Sequence, residues 1–173
     1  MSESSVSSSD PAPHGEVGSL DRDEPRYIIG VGASAGGLEA ISALLANLPL
    51  SLRVPVLVAQ HLSPTHRSMM VELVGRATTM QVVEAQQGGE PQAGVVYIAP
   101  ENCHLMIRNG RLHLSEPSGR IEPKPSVNTL FTTIAAEFGE GAIGVVLSGT
   151  GTDGADGARA IRSAGGFVLA QEP

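Results

Sequence analysis

With 173 residues the chain has room for one domain with a sizeable core, and not for two. A formal net charge of −7 excludes a surface built to hold nucleic-acid phosphates, which needs clustered Lys and Arg. The single cysteine, Cys103, excludes an internal disulfide and fits a reducing, cytoplasmic compartment, and no apolar run approaches the ~20 residues of a membrane span.

Residues 1–26 are Ser, Pro and acid without apolar periodicity, so they are expected to form a disordered tail or linker ahead of one domain over 27–173. They lack the basic start and apolar stretch of a signal peptide, and export is not expected. From Tyr27 onward apolar runs alternate with helical patterns. "YIIGV" (27–31) reads as a buried strand, and 36–48 as a helix with Leu38, Ile41, Leu44, Leu45 and Leu48 on one face. "VPVLVAQ" (54–60) is a second strand, followed by a helix over about 65–76 and a third strand over 80–85.

The middle of the chain changes character. "VVYIAP" and "HLMIRNGRLHLSE" alternate apolar residues around Asn109-Gly110, a turn pair that favours positive φ, so an antiparallel hairpin is expected at one edge of the sheet. After a loop over 119–126, Ser126 is placed to cap a helix over 127–138. A strand over 142–148, a helix in "DGARAIRSAG" and a last strand in "GFVLAQ" complete the pattern. The expected fold is α/β, a doubly wound, mostly parallel, Rossmann-like three-layer sheet with that hairpin at its edge.

In such a sheet, chemistry collects beyond the carboxyl ends of the strands. Ser34 follows the first strand, His61 the second, and Asp153, within "GTGTDG", the strand over 142–148. These are a nucleophile, an imidazole and a carboxylate on three loops at one edge, the parts of a hydrolytic triad. Each also has a plain structural reading: Ser34 as a helix N-cap, His61 as a hydrogen-bonded structural residue, Asp153 as the cap of a helix starting near Gly154. Glu84, at the end of the third strand, is the chief competitor for the carboxylate.

"IIGVGASAGGLEA" (28–40) satisfies both GxGxxA, a dinucleotide turn, and GxSxG, a nucleophile elbow. A dinucleotide site needs an acid ~20 residues beyond the glycines to hold the ribose. Between Glu39 and Glu72 there is none, and the second strand ends in Gln60-His61. No cofactor is expected, and no metal, because His66, His104 and His113 lack ligand spacing. Cys103 is expected to serve packing.

"IIGVGASAGGLEA", "VLVAQHLSP", "VYIAPENCHL", "KPSVNTLF" and "GVVLSGTGTDGADGARAI", in this order, resemble the catalytic domain of the CheB protein-glutamate methylesterases of bacterial chemotaxis. The resemblance runs from about Tyr27 to Pro173. It implies hydrolysis of glutamate methyl esters, and deamidation of glutamines, on the cytoplasmic helices of methyl-accepting chemoreceptors. The family's serine, histidine and aspartate fall on Ser34, His61 and Asp153. Backbone amides at Ala35, Thr150 and Gly151 are the candidate donors to an oxyanion.

Four departures from the family pattern stand out. Ala35 replaces a common threonine and Thr150 a common methionine. The acidic tail stands where a phosphoreceiver domain is usual. A C-terminal segment with a Met-Pro turn does not follow, so the catalytic domain is expected to lack its last part. In "AQHLSP" and "SGTGTDG" the chain is most similar to methylesterase modules fused to a CheR-type methyltransferase, which makes such a methyltransferase and phosphorelay proteins expected partners. The alternative reading is a catalytically silent or regulatory binding module of a multidomain signalling protein.

Overall fold

The computed structural model describes residues 26–34, 36–49, 51–61, 69–115, 125–147 and 152–172. Six strands form one sheet: β1 (Ile28–Ala33), β2 (Val56–Gln60), β3 (Gln81–Glu84), β4 (Val95–Ile98), β7 (Ala142–Val146) and β8 (Phe167–Ala170). Their order is β3-β4-β2-β1-β7-β8, and every neighbouring pair runs parallel. Helices α1 (Leu38–Asn47) and α2 (Met70–Ala77) cover one face, and α3 (Val127–Phe138) and α4 (Ala155–Ser163) the other. The three-layer, doubly wound architecture expected from the sequence is the one observed.

All six residues of β1 are buried, as a central parallel strand between two helical layers requires. Its odd-numbered residues Ile29, Val31 and Ala33 pack with α1 and α2. Its even-numbered positions face α3, and two of them are glycines. A Cβ on Gly30 would sit 2.7 Å from Ile134 Cδ1, and one on Gly32 would sit 2.2 Å from Val127 Cγ1. Gly144 of β7 repeats the pattern, with a Cβ 2.8 Å from Ile161 Cδ1. The absent side chains let α3 lie directly on the sheet. Its N-terminus thereby reaches the carboxyl end of β1.

Two features differ from the sequence-based expectation. "VVYI" is not part of the hairpin region: it forms β4, inserted between β2 and β3. The hairpin itself, β5 (His104–Arg108) and β6 (Arg111–Ser115), turns through Asn109 (φ 50) and Gly110 (φ 70) as expected. It is, however, a separate two-stranded sheet rather than an addition to an edge of the larger one. Leu105, Ile107 and Leu112 bury against the α3 layer, Thr133 Oγ1 of α3 accepts from Ile107 N (3.2 Å), and Glu137 Oε1 accepts from Gly110 N (2.8 Å). Leu105, Ile107 and Leu112 find their cover in a helix, so no sheet edge is needed, and His104 and Met106, at the alternate positions of β5, are buried as well. Among the described residues no helix is long and apolar enough to cross a membrane.

Candidate active site

Ser34 lies immediately beyond β1, where the chain turns into α1. Gly36, with φ of 93, supplies a left-handed step in that turn, and the Ser34 carbonyl accepts from Gly37 N at 3.0 Å. The N-cap of α1 is Gly37, which makes no side-chain cap bond, so the capping reading of Ser34 does not hold. His61 follows β2 directly, and its amide donates to the Ala33 carbonyl at 3.0 Å, tying the two strand ends together. Ser34, His61 and Asp153 line one cleft of about 60 Å³, with Gly32, Ala33, Val127, Val146 and Leu147 completing the wall.

Asp153 has four hydrogen-bond partners. Its Oδ2 lies 2.8 Å from His61 Nε2 and accepts from Val127 N at 2.7 Å. Its Oδ1 accepts from Asn128 N at 2.9 Å and from the Ser126 hydroxyl at 3.1 Å. Four partners use the four lone-pair sites of an ionised carboxylate. Burial by itself would push this carboxyl up, but the bonds from His61, Asn128 and Val127 outweigh it and hold it below the ordinary aspartate range. The positive end of the α3 dipole acts in the same direction. Asp153 is therefore a fixed anion aimed at His61.

Asp153 thus caps a helix, but not the one beginning beside it. The N-cap of α4 is Gly154, in the left-handed region at φ 109 and without a cap bond of its own. The amides of Gly154 and Gly157 are taken instead by Asn128 Oδ1, at 2.9 and 2.8 Å. Glu84 is exposed at the end of β3, the edge strand, and does not line the cleft. Ala35, Thr150 and Gly151, the expected oxyanion donors, lie outside the described residues, as does His66. Cys103 is half-buried, and among the described residues no three His, Cys, Asp or Glu side chains group as a metal site would require. Three contributors to the site were not anticipated: Asn128, the bond from Ser126 to Asp153, and His104 behind Ser126.

A family model described as CheB methylesterase matches residues 29–173. The chain belongs to the CheB methylesterase family. A protein-glutamate methylesterase/protein-glutamine glutaminase of Myxococcus xanthus is 41% identical over 152 residues, covering 86% of this chain and 44% of the relative. One from Methanosarcina acetivorans is 38% identical over 160 residues, covering 88% of this chain and 45% of the relative. The chain therefore spans less than half the length of these curated relatives. The crystal structure of the Thermotoga maritima CheB methylesterase catalytic domain matches with a TM-score of 0.75 at 30% identity, covering 82% of this chain and 77% of that one. Membership of the CheB family removes the dinucleotide reading of the glycine turn. Gly30 and Gly32 serve close approach of α3, not of a pyrophosphate.

Proposed function

We propose that the chain is a serine hydrolase that removes methyl groups from glutamate methyl esters, and deamidates glutamines, on the cytoplasmic helices of chemoreceptors. The observation that carries this reading is the convergence of Ser34, His61 and Asp153 from three strand ends on one cleft, with His61 held to Asp153 at 2.8 Å. The names of the curated relatives support the substrate class.

Chemistry follows from that arrangement. Ser34 Oγ attacks the ester carbonyl while His61 takes its proton, giving a tetrahedral oxyanion. His61 then returns a proton to the departing methoxide, methanol leaves, and water repeats the sequence on the acyl-Ser34 ester. Asp153 remains ionised throughout: it orients the ring and stabilises the imidazolium. Because Asp153 engages Nε2, the nitrogen that exchanges protons with Ser34 is Nδ1. That is the reverse of the ring usage in the trypsin-type triad. Amides at Ala35 and at Thr150 and Gly151 are the proposed oxyanion donors. A CheR-type methyltransferase, which makes the ester, and phosphorelay proteins are the proposed partners, and the cytoplasm the proposed location.

Mass spectrometry of a methylated receptor signalling fragment tests the reading. Incubation with the chain is expected to remove one methylene mass per modified glutamate and to convert susceptible glutamines to glutamate. A receptor bound but unchanged would favour a silent binding module, and one neither bound nor changed would contradict chemoreceptors as the substrate.

A further inference from the structure

The N-terminus of α3 is the platform on which Asp153 rests, so whatever fixes that platform fixes the carboxylate. An α-helix begins with four amides that have no partner inside it. In α3 each has a partner from outside the helical ladder: Thr129 N donates to Ser126 Oγ at 3.2 Å, and Asn128 N and Val127 N donate to Asp153. The fourth, Ser126 N, donates to Nδ1 of His104 at 3.0 Å. His104 opens β5, is 6% exposed, and comes from the hairpin packed on α3. An N–H donor requires a lone pair on Nδ1, so the ring proton of neutral His104 sits on Nε2.

We infer that His104 is a positioning residue of the active site: its Nδ1 anchors the Ser126 amide, and so sets the cap from which one hydroxyl and two amides aim at Asp153. The inference rests on the hydrolytic reading of Ser34, His61 and Asp153. The path runs from the imidazole through the Ser126 backbone to Ser126 Oγ, Val127 N and Asn128 N, and through Asp153 to His61. His104 does not line the cleft and touches no substrate. Loss of its acceptor leaves a buried amide without a partner, and the α3 cap relaxes away from the geometry that Asp153 needs.

Two substitutions separate the acceptor from the rest of the ring. In His104→Asn, the side-chain oxygen can occupy the place of Nδ1; in His104→Gln, the polar group lies farther out, near the place of Nε2. His104→Gln is expected to lower kcat for methyl-ester hydrolysis about tenfold, the loss of one buried hydrogen-bond partner, with KM within about twofold of wild type. His104→Asn is expected to recover to within about threefold of the wild-type kcat. A direct signature comes from the wild-type chain by NMR: a coupling through the hydrogen bond between Ser126 N and His104 Nδ1, and a ring protonated at Nε2. Amide exchange at Val127 and Asn128 should accelerate in His104→Gln and not in His104→Asn.

Equal kcat in His104→Gln and wild type, or a folded His104→Asn as impaired as His104→Gln, overturns the inference. So does the absence of the coupling, which is read in the wild-type chain and does not depend on either variant folding. If the wild-type chain releases no methanol, the proposed function fails separately, and the coupling and amide exchange decide the placement of His104.

Discussion

Asp153 and Asn128 cap each other's helices. Asn128 N, in the first turn of α3, donates to Asp153 Oδ1 at 2.9 Å, while Asn128 Oδ1 accepts from Gly154 N and Gly157 N, at the start of α4, at 2.9 and 2.8 Å. Two helices packed on the same sheet face are thereby locked end to end, and the lock contains the carboxylate proposed to orient His61. Gly157 makes the close contact possible: a Cβ there would meet Asn128 Cα at 3.1 Å and Phe131 Cβ at 2.6 Å.

Asn128→Ala removes the acceptor for two amides at the start of α4. A lost cap costs about 0.5–2 kcal/mol, so urea unfolding is expected to show a lower midpoint with an unchanged slope. Activity should fall as well, because Asp153 loses its counter-anchor. A midpoint equal to wild type would mean that water replaces Asn128 at no cost.

Asp153 carries a pH signature. Its carboxyl is held below the ordinary range in the folded chain, so its contribution to stability is complete above the unfolded-state pKa and is lost as pH falls through the folded one. In Asp153→Asn, the amide nitrogen must face a helix N–H or the Ser126 hydroxyl, at a cost of about 1–3 kcal/mol. The stability gap between wild type and Asp153→Asn is therefore expected at neutral pH and should narrow on acidification below the usual aspartate range. A gap independent of pH would contradict the ionised cap. Hydrolysis should drop by roughly 10⁴-fold in Asp153→Asn, as in other triads that lose this group. Glu84→Gln, on the exposed edge strand, should leave the rate near wild type.

Gly32 tests the close approach of α3. A Cβ there would lie 2.2 Å from Val127 Cγ1 and 2.9 Å from Cγ2, and Val127 N is one of the donors to Asp153. Gly32→Ala is expected to destabilise by about 1–3 kcal/mol through overpacking and to reduce turnover. Val127→Ala in the same chain removes both clashing methyl groups and should recover part of each loss. Additive effects of the two substitutions would show that the contact does not transmit strain.

Local chemistry accounts for what was legible in the sequence. Ser126 and the helix over 127–138 were readable because a cap acts within one turn, and Asn109-Gly110 because its two residues carry the turn conformation themselves. The strand-end rule picked out Ser34, His61 and Asp153, which the fold brings to one cleft. Long-range pairings were not readable. Asn128 and Asp153 are 25 residues apart, and His104 and Ser126 are 22 apart; each pairing depends on how α3 docks. The sheet edge is the expected place for the hairpin because apolar alternation calls for a buried face without saying what buries it. Here α3 does so. The GxSxG pattern does not tell that its first glycine, Gly32, lies inside β1 under Val127.

The most direct test of the central claim is the initial rate of methanol release from methylated receptor, measured side by side for the wild-type chain and for Ser34→Ala. Steady release is expected from the wild-type chain, and a rate at the no-enzyme background from Ser34→Ala, with receptor binding retained. Equal release by both would contradict Ser34 as the nucleophile.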